Sequence, residues 1–204
     1  MELRDALTQI TEIRLQLART EVFRGYRAMP VAFSGGVAVL AAVIQTVTIP
    51  DPAAQIGPYL ALWIGAAVVS GLAAGLEMMI RARNAASTMT RELTWLALEQ
   101  FCPCLVGGAL VTVVLMRAAP ESQWMLPGLW QIFYSLGIFA SCRLLPRPTF
   151  WVAVFYLGAG LTVLAIPHGD AALSPWMMGV PFGVGQLLAA AVLYRTLERD
   201  HGCA

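Results

Sequence analysis

Lysine is absent from this chain of 204 residues, and all thirteen basic side chains are arginine. A P-loop, a retinal-type Schiff base and a pyridoxal site each need a lysine amine, so those chemistries are excluded. Charge of either sign is scarce too: 12% of residues are charged, half of the roughly 25% found in a soluble domain. The net charge of +1 provides no broad basic face to neutralise phosphates, which excludes nucleic acid as a partner. Histidine occurs only at His168 and His201, and no His-Glu-x-x-His is present. The N-terminus, Met-Glu-Leu-Arg-Asp, lacks the apolar core and small-residue cleavage site of a signal peptide, so the first apolar helix is expected to direct insertion.

What the chain has instead is apolar residues, 58% of the total, with a mean hydropathy of +0.69. A soluble core of this length cannot hide so much apolar surface, whereas a bilayer can. The fold expected is an all-α membrane protein, a six-transmembrane-helix bundle preceded by an N-terminal amphipathic helix. Spans are predicted over 31–49, 59–80, 94–116, 127–142, 149–166 and 176–194, so that the bundle occupies 30–195. Near twenty residues each, they match the thickness of hydrocarbon, although the fourth is short. Polar residues through Thr90 are expected to form a loop between the second and third spans, and Arg117 to Leu126 another.

Residues 1–29 are expected to lie outside the membrane. Leu3, Ala6, Ile10, Ile13, Leu17 and Thr20 recur at steps of three and four, with Asp5, Glu12 and Arg19 opposite, which predicts a helix with a narrow heptad seam. A helix lying on lipid is usually rich in basic residues on its polar face. Here Arg4, Arg14, Arg19, Arg24 and Arg27 are offset by Glu2, Asp5, Glu12 and Glu21, which favours packing on protein, either its own bundle, a second copy or another partner.

The arginines also set an orientation. With both termini cytoplasmic, twelve arginines lie in cytoplasmic segments, including the tail 196–204, and only Arg117 lies outside. The expected location is therefore the cell inner membrane of a bacterial-style cell, multi-pass, with the lipid bilayer as the constant partner. Tyr59, Trp63, Trp124, Trp130 and Trp176 would mark the outer interface, and Trp95, Trp151 and Tyr194 the inner one. His168 and His201 then fall on opposite sides and cannot share one metal or haem. No Ser–His or Cys–His pair remains in reach for an intramembrane hydrolase.

Lipid gives helices no hydrophobic reason to associate, so small residues should mark where backbones approach. The ladders are Ala67, Gly71 and Gly75 on the second span and Gly179 and Gly183 on the sixth; Gly35-Gly36, Gly107-Gly108 and Gly158-Ala159-Gly160 add thin surfaces. They are read as the contacts of a compact bundle, with a ligand groove over residues 179–186 as the alternative. An inverted three-plus-three arrangement is allowed by the span count, but no long repeat is visible and the halves do not align by inspection.

Ionisable groups at membrane depth are costly and point to function by default. Glu77 ends the second span one turn before Arg81. Glu99 lies deeper, about 8 Å into the third span by helical rise, and Arg143 is its expected partner by depth. Gln100 adjoins it; Gln186 is the most central polar group, with Gln45 and Gln131 nearer the outer side, each read as an interhelical hydrogen-bond contact. The candidate polar site is thus Glu99, Gln100, Glu77, Arg143 and Gln186.

Cys102-Pro103-Cys104 is the sharpest pattern. It resembles the Cys-Pro-Cys of heavy-metal P-type ATPases, where thiolates in a membrane helix bind a soft ion. The resemblance covers three residues, and that family's phosphorylated-aspartate motif and ATP-binding domain have no counterpart here. It implies a soft site on Cys102 and Cys104, with Cys142 at similar depth and Met78-Met79 nearby. Residues two apart on a helix point about 200° apart, so the thiols converge only if the proline unwinds the turn. The principal expectation is therefore a kinked helix without metal, cofactor or catalytic residues. The function expected is a non-enzymatic regulatory, sensory or assembly subunit acting through residues 1–27. The alternatives are a small transporter or channel with a polar cytoplasm-facing site around Glu99, and a thiol-redox or soft-metal protein using Cys102 and Cys104.

Overall fold

The computed structural model describes residues 28–84, 88–166 and 171–198. The amphipathic helix expected over 1–27 lies outside the described residues, as do His168, His201 and Cys203. Among the described residues the chain is helical, with no strand. The long helices are α1 (Ala28–Thr48), α2 (Ile56–Asn84), α3 (Thr88–Ala118), α4 (Leu126–Ser141), α5 (Thr149–Ala165) and α6 (Pro175–Leu193). A 3₁₀ turn, Pro120–Met125, precedes α4, and a π turn, Tyr194–Glu198, follows α6. Four segments are long and apolar enough to cross a bilayer, Ala28–Thr48, Ile56–Ile80, Leu98–Ala118 and Pro175–Thr196, which makes this an α-helical membrane protein.

Proline sets the helix starts. Pro30, Pro127 and Pro175 lie in the first turns of α1, α4 and α6, where the missing N–H has no intrahelical acceptor to lose. Pro50 stops α1, and the Asp51 carboxylate accepts the Ala54 N–H at 3.0 Å to close the turn into α2. The polar stretch expected to be a loop is mostly helical: α2 continues to Asn84 and α3 already begins at Thr88. No glycine or proline occurs from Leu76 to Cys102, so nothing in the backbone chemistry interrupts either helix there.

The helices pack as a ring. The most extensive contacts are α1 with α6, α4 with α5, α3 with α4 and α1 with α2; α5 touches α6 less, and α2 barely touches α3. At one end the connections are themselves buried: Ile49, Pro52, Ala172 and Leu173 are covered, Leu173 in one cluster with Leu126, Tyr59 and Trp63.

Small residues explain the closest approaches. A Cβ on Gly179 would lie 2.5 Å from the Ala42 Cβ, and one on Gly35 would lie 3.1 Å from the Gln186 Cβ. The α1–α6 seam is therefore built on glycine and alanine, and α1 fills the stretch 179–186 that was open to reading as a groove. Between α4 and α5, a Cβ on Gly128 would meet the Gly160 carbonyl at 2.8 Å. On α2, among the described residues, nothing lies within 4 Å of a Cβ at Gly71 or Gly75. Gly36 and Gly158 likewise face open space.

Candidate functional site

The polar groups that the fold gathers lie along the facing sides of these helices, and the first cluster is at the end with the buried connections. Gln45 on α1 donates from Nε2 to the Leu173 carbonyl at 2.9 Å, and its Oε1 accepts the Trp63 indole N–H at 2.8 Å. One amide thereby ties α1 to α2 and to the turn before α6. Trp130 on α4 donates its indole N–H to Thr112 Oγ1 on α3 at 2.8 Å, while that hydroxyl donates to the Gly108 carbonyl.

Of the aromatics expected at the outer interface, Trp63 and Tyr59 are buried and Trp130 is half-buried, so these rings face other helices. An indole with a buried amide opposite it gains a hydrogen bond that makes burial favourable. Trp95, Trp151, Trp176 and Tyr194 are exposed, as interface residues would be.

The second cluster is central. Gln186 on α6 donates to the Tyr134 hydroxyl on α4 at 2.6 Å. The Tyr134 ring meets Phe101, Tyr156 and Phe182 edge-on, at centroid separations of 5.5, 4.9 and 5.5 Å. Tyr156 is packed so tightly on α6 that a Cβ at Gly185 would lie 2.6 Å from its hydroxyl oxygen. Sequence reasoning missed Tyr134 and Tyr156; each is one aromatic among many in an apolar run, and only the facing glutamine and glycine distinguish it.

Gln131, also on α4, donates from Nε2 to the Met177 carbonyl at 2.8 Å. That carbonyl is available because residue 181 is proline: without an N–H there, Met177 has no donor four residues on. The amide of α4 thus satisfies a carbonyl that the proline of α6 leaves free. Gln131 Oε1, Gln100 Oε1 and the hydroxyls of Tyr59 and Tyr156 are buried with no hydrogen-bond partner.

The ionisable residues are not assembled in the same way. Glu99 and Arg143 are each exposed, on α3 and on the turn after α4, and no ion pair joins them. Glu77 is half-buried on α2, and Gln100 is half-buried one position past Glu99. Of the five residues singled out, only Gln186 takes part in the central cluster. Cys102 is exposed and Cys104 and Cys142 are half-buried, all as free thiols. The helix runs unbroken through Pro103, so Cys102 and Cys104 keep the divergent directions of an ordinary helix. Among the described residues no group of three His, Cys, Asp or Glu side chains is placed to hold a metal.

Compared with known protein families, with curated proteins and with solved structures, the chain finds no match.

Proposed function

We propose that the chain is a six-span inner-membrane protein, both termini cytoplasmic, that acts as a non-enzymatic regulatory, sensory or assembly subunit through residues 1–27. The span count includes α4 and α5, which at 16 and 17 residues are shorter than the other four. A helix of that length reaches about 24–26 Å, which a bilayer accommodates by local thinning and by snorkelling of flanking residues such as Arg143 and Arg147. The twelve-to-one division of arginines supports the orientation.

One chemical observation carries the functional reading. The polar side chains drawn together, Gln45, Trp63, Gln131, Tyr134 and Gln186, are neutral amides, an indole and a phenol bonded to one another or to carbonyls. The carboxylate and guanidinium groups of Glu99 and Arg143 stay apart. Such a set orders a bundle, and its one group able to act as an acid, the Tyr134 phenol, is engaged by Gln186. Deleting residues 1–24 should leave a protein that inserts and purifies but has lost its oligomeric state or its partner. Native mass spectrometry that finds the same assembly for both forms would sink the proposal.

A second reading, a small transporter, is favoured by the unpartnered Gln100 Oε1 and Tyr156 hydroxyl. It expects Glu99→Gln to alter solute uptake or proton coupling in liposomes. Wild-type protein that carries no flux across a broad solute screen counts against it.

A further inference from the structure

We infer that the bundle is an inverted duplication of a three-helix unit, α1–α3 and α4–α6, in which each unit has exchanged its third helix. We infer further that the two lobes so formed rock about a polar joint between α4 and α6. This goes beyond the subunit role and does not depend on it.

The first support is the packing. Replacing each helix by the one three places along turns the α1–α6 contact into α4–α3, α1–α2 into α4–α5, and α2–α3 into α5–α6. Under that exchange the extensive contacts map onto extensive ones and the slight contacts onto slighter ones. Three antiparallel helices reverse direction overall, so the second unit must be inverted relative to the first.

The sequence agrees once the correspondence is known. Residues 103–117, Pro-Cys-Leu-Val-Gly-Gly-Ala-Leu-Val-Thr-Val-Val-Leu-Met-Arg, align without a gap on 181–195, Pro-Phe-Gly-Val-Gly-Gln-Leu-Leu-Ala-Ala-Ala-Val-Leu-Tyr-Arg. Seven of the fifteen positions are identical, among them the only prolines inside helices α3 and α6 and the glycine four residues beyond each. The first helices α1 and α4 match by their opening prolines, Pro30 and Pro127.

The registers of the closest contacts agree with this alignment. With Pro30 set on Pro127 and Pro103 on Pro181, the counterparts of Gly108 and Phe133 are Gln186 and Gly36. Gly108 lies against Phe133, and Gln186 lies against Gly35, one residue away. The counterparts of Phe101 and Gly137 are Gly179 and Leu40. Phe101 lies against Gly137, and Gly179 lies against Ala38 and Ala42, the residues two to either side of Leu40.

The exchange leaves one lobe of α1, α2 and α6 and another of α3, α4 and α5. Trp63–Gln45, Trp130–Thr112 and Ser135–Ala153 are hydrogen bonds within a lobe. Gln131 to the Met177 carbonyl and Gln186 to Tyr134 cross between lobes, one donated from each side, where α4 and α6 otherwise touch little. Pro181 places the first of these at a position where α6 has already lost a helical hydrogen bond, so bending there breaks none. Between α4 and α6 the joint is these two exchangeable amide contacts beside the ring stack of Tyr134, Tyr156 and Phe182, and the one close glycine contact across it is Tyr156 on Gly185.

The test uses the full chain with its cysteines replaced by serine, spin-labelled in pairs and measured by electron double resonance in liposomes. A within-lobe pair, Phe33→Cys with Ile80→Cys, should give one narrow distance. An across-lobe pair, Ile80→Cys with Trp151→Cys, should give two populations whose ratio shifts by about three- to tenfold in Gln131→Leu or Gln186→Leu, the range expected for one intramembrane hydrogen bond. A single across-lobe distance as narrow as the within-lobe one, unmoved by either substitution, overturns the rocking joint. Because those variants can fail to fold, thermal unfolding in detergent adds a second reading. Pro181→Ala supplies the missing N–H, so the shift in midpoint caused by Gln131→Leu should fall to a third or less in the Pro181→Ala background. A shift of equal size in both backgrounds removes the joint.

Discussion

Two ladders of small residues at the same spacing end up in opposite circumstances. Gly179 and Gly183 on α6 are covered by Ala38, Val39 and Ala42 of α1, whereas Gly71 and Gly75 on α2 meet nothing within 4 Å. The spans follow suit: 33% and 39% of the residues in the α1 and α6 windows are buried, against 17% and 11% for α2 and α3. Spacing alone therefore does not make a contact. α1 offers alanines and a glycine at the matching positions, so two thin surfaces meet and dispersion contacts accumulate along both backbones. Among the described residues, none faces α2 along Gly71 and Gly75.

The comparison can be broken most forcefully at Gly179. Gly179→Leu forces a side chain into a site where even a Cβ lies 2.5 Å from Ala42, and overpacking of that kind costs about 2–3 kcal/mol. Thermal unfolding in detergent should show a large drop in midpoint or aggregation on purification. Next in size is Gln45→Leu, which leaves the Trp63 N–H and the Leu173 carbonyl unpaired together. About 1–2 kcal/mol is expected in the same assay, with a change in Trp63 fluorescence as its indole loses a partner.

The smallest effects should come from the open side. Gly71→Leu, Gly75→Leu and Glu99→Gln should each stay within about 0.5 kcal/mol, as for surface substitutions that displace no neighbour. Should Gly71→Leu cost as much as Gly179→Leu in purified monomer, the two ladders are equivalent after all. A cost that appears only in the assembled protein instead identifies the α2 face as buried by a partner or a second copy.

How much of this was legible beforehand differs by level. Helix positions were, because runs of apolar residues bounded by Pro30, Pro50, Pro127 and Pro175 fix them locally. The second loop was misjudged because Arg, Asn, Ser and Thr were read as loop residues, although no Gly or Pro from Leu76 to Cys102 interrupts the helices. The interhelical roles of Gln45, Gln131 and Gln186 were readable, since a lone amide in an apolar helix needs a partner. Their partners were not: Leu173 and Met177 contribute carbonyls, which carry no side-chain signature. The partners of Trp63 and Trp130 are hidden for the same reason, as a tryptophan near a span end looks alike whether its indole meets a headgroup or a buried oxygen. The Glu99–Arg143 pairing rested on equal depth alone, and depth says nothing about position around the ring.

The α1–α6 seam also has a consequence for how the protein is made. Its two sides, Gly35 and Gly183, are separated by nearly the whole bundle in sequence, so the surface of α1 that holds Gln45 and its alanines is synthesised first and completed last. At about 5–20 residues per second, α1 waits roughly 7–30 seconds for α6 to emerge. Throughout that interval the Gln45 N–H that will meet the Leu173 carbonyl, and the thin face beside it, are available to any other helix in the bilayer. Correct assembly therefore depends on a late closure, when α6 reaches α1.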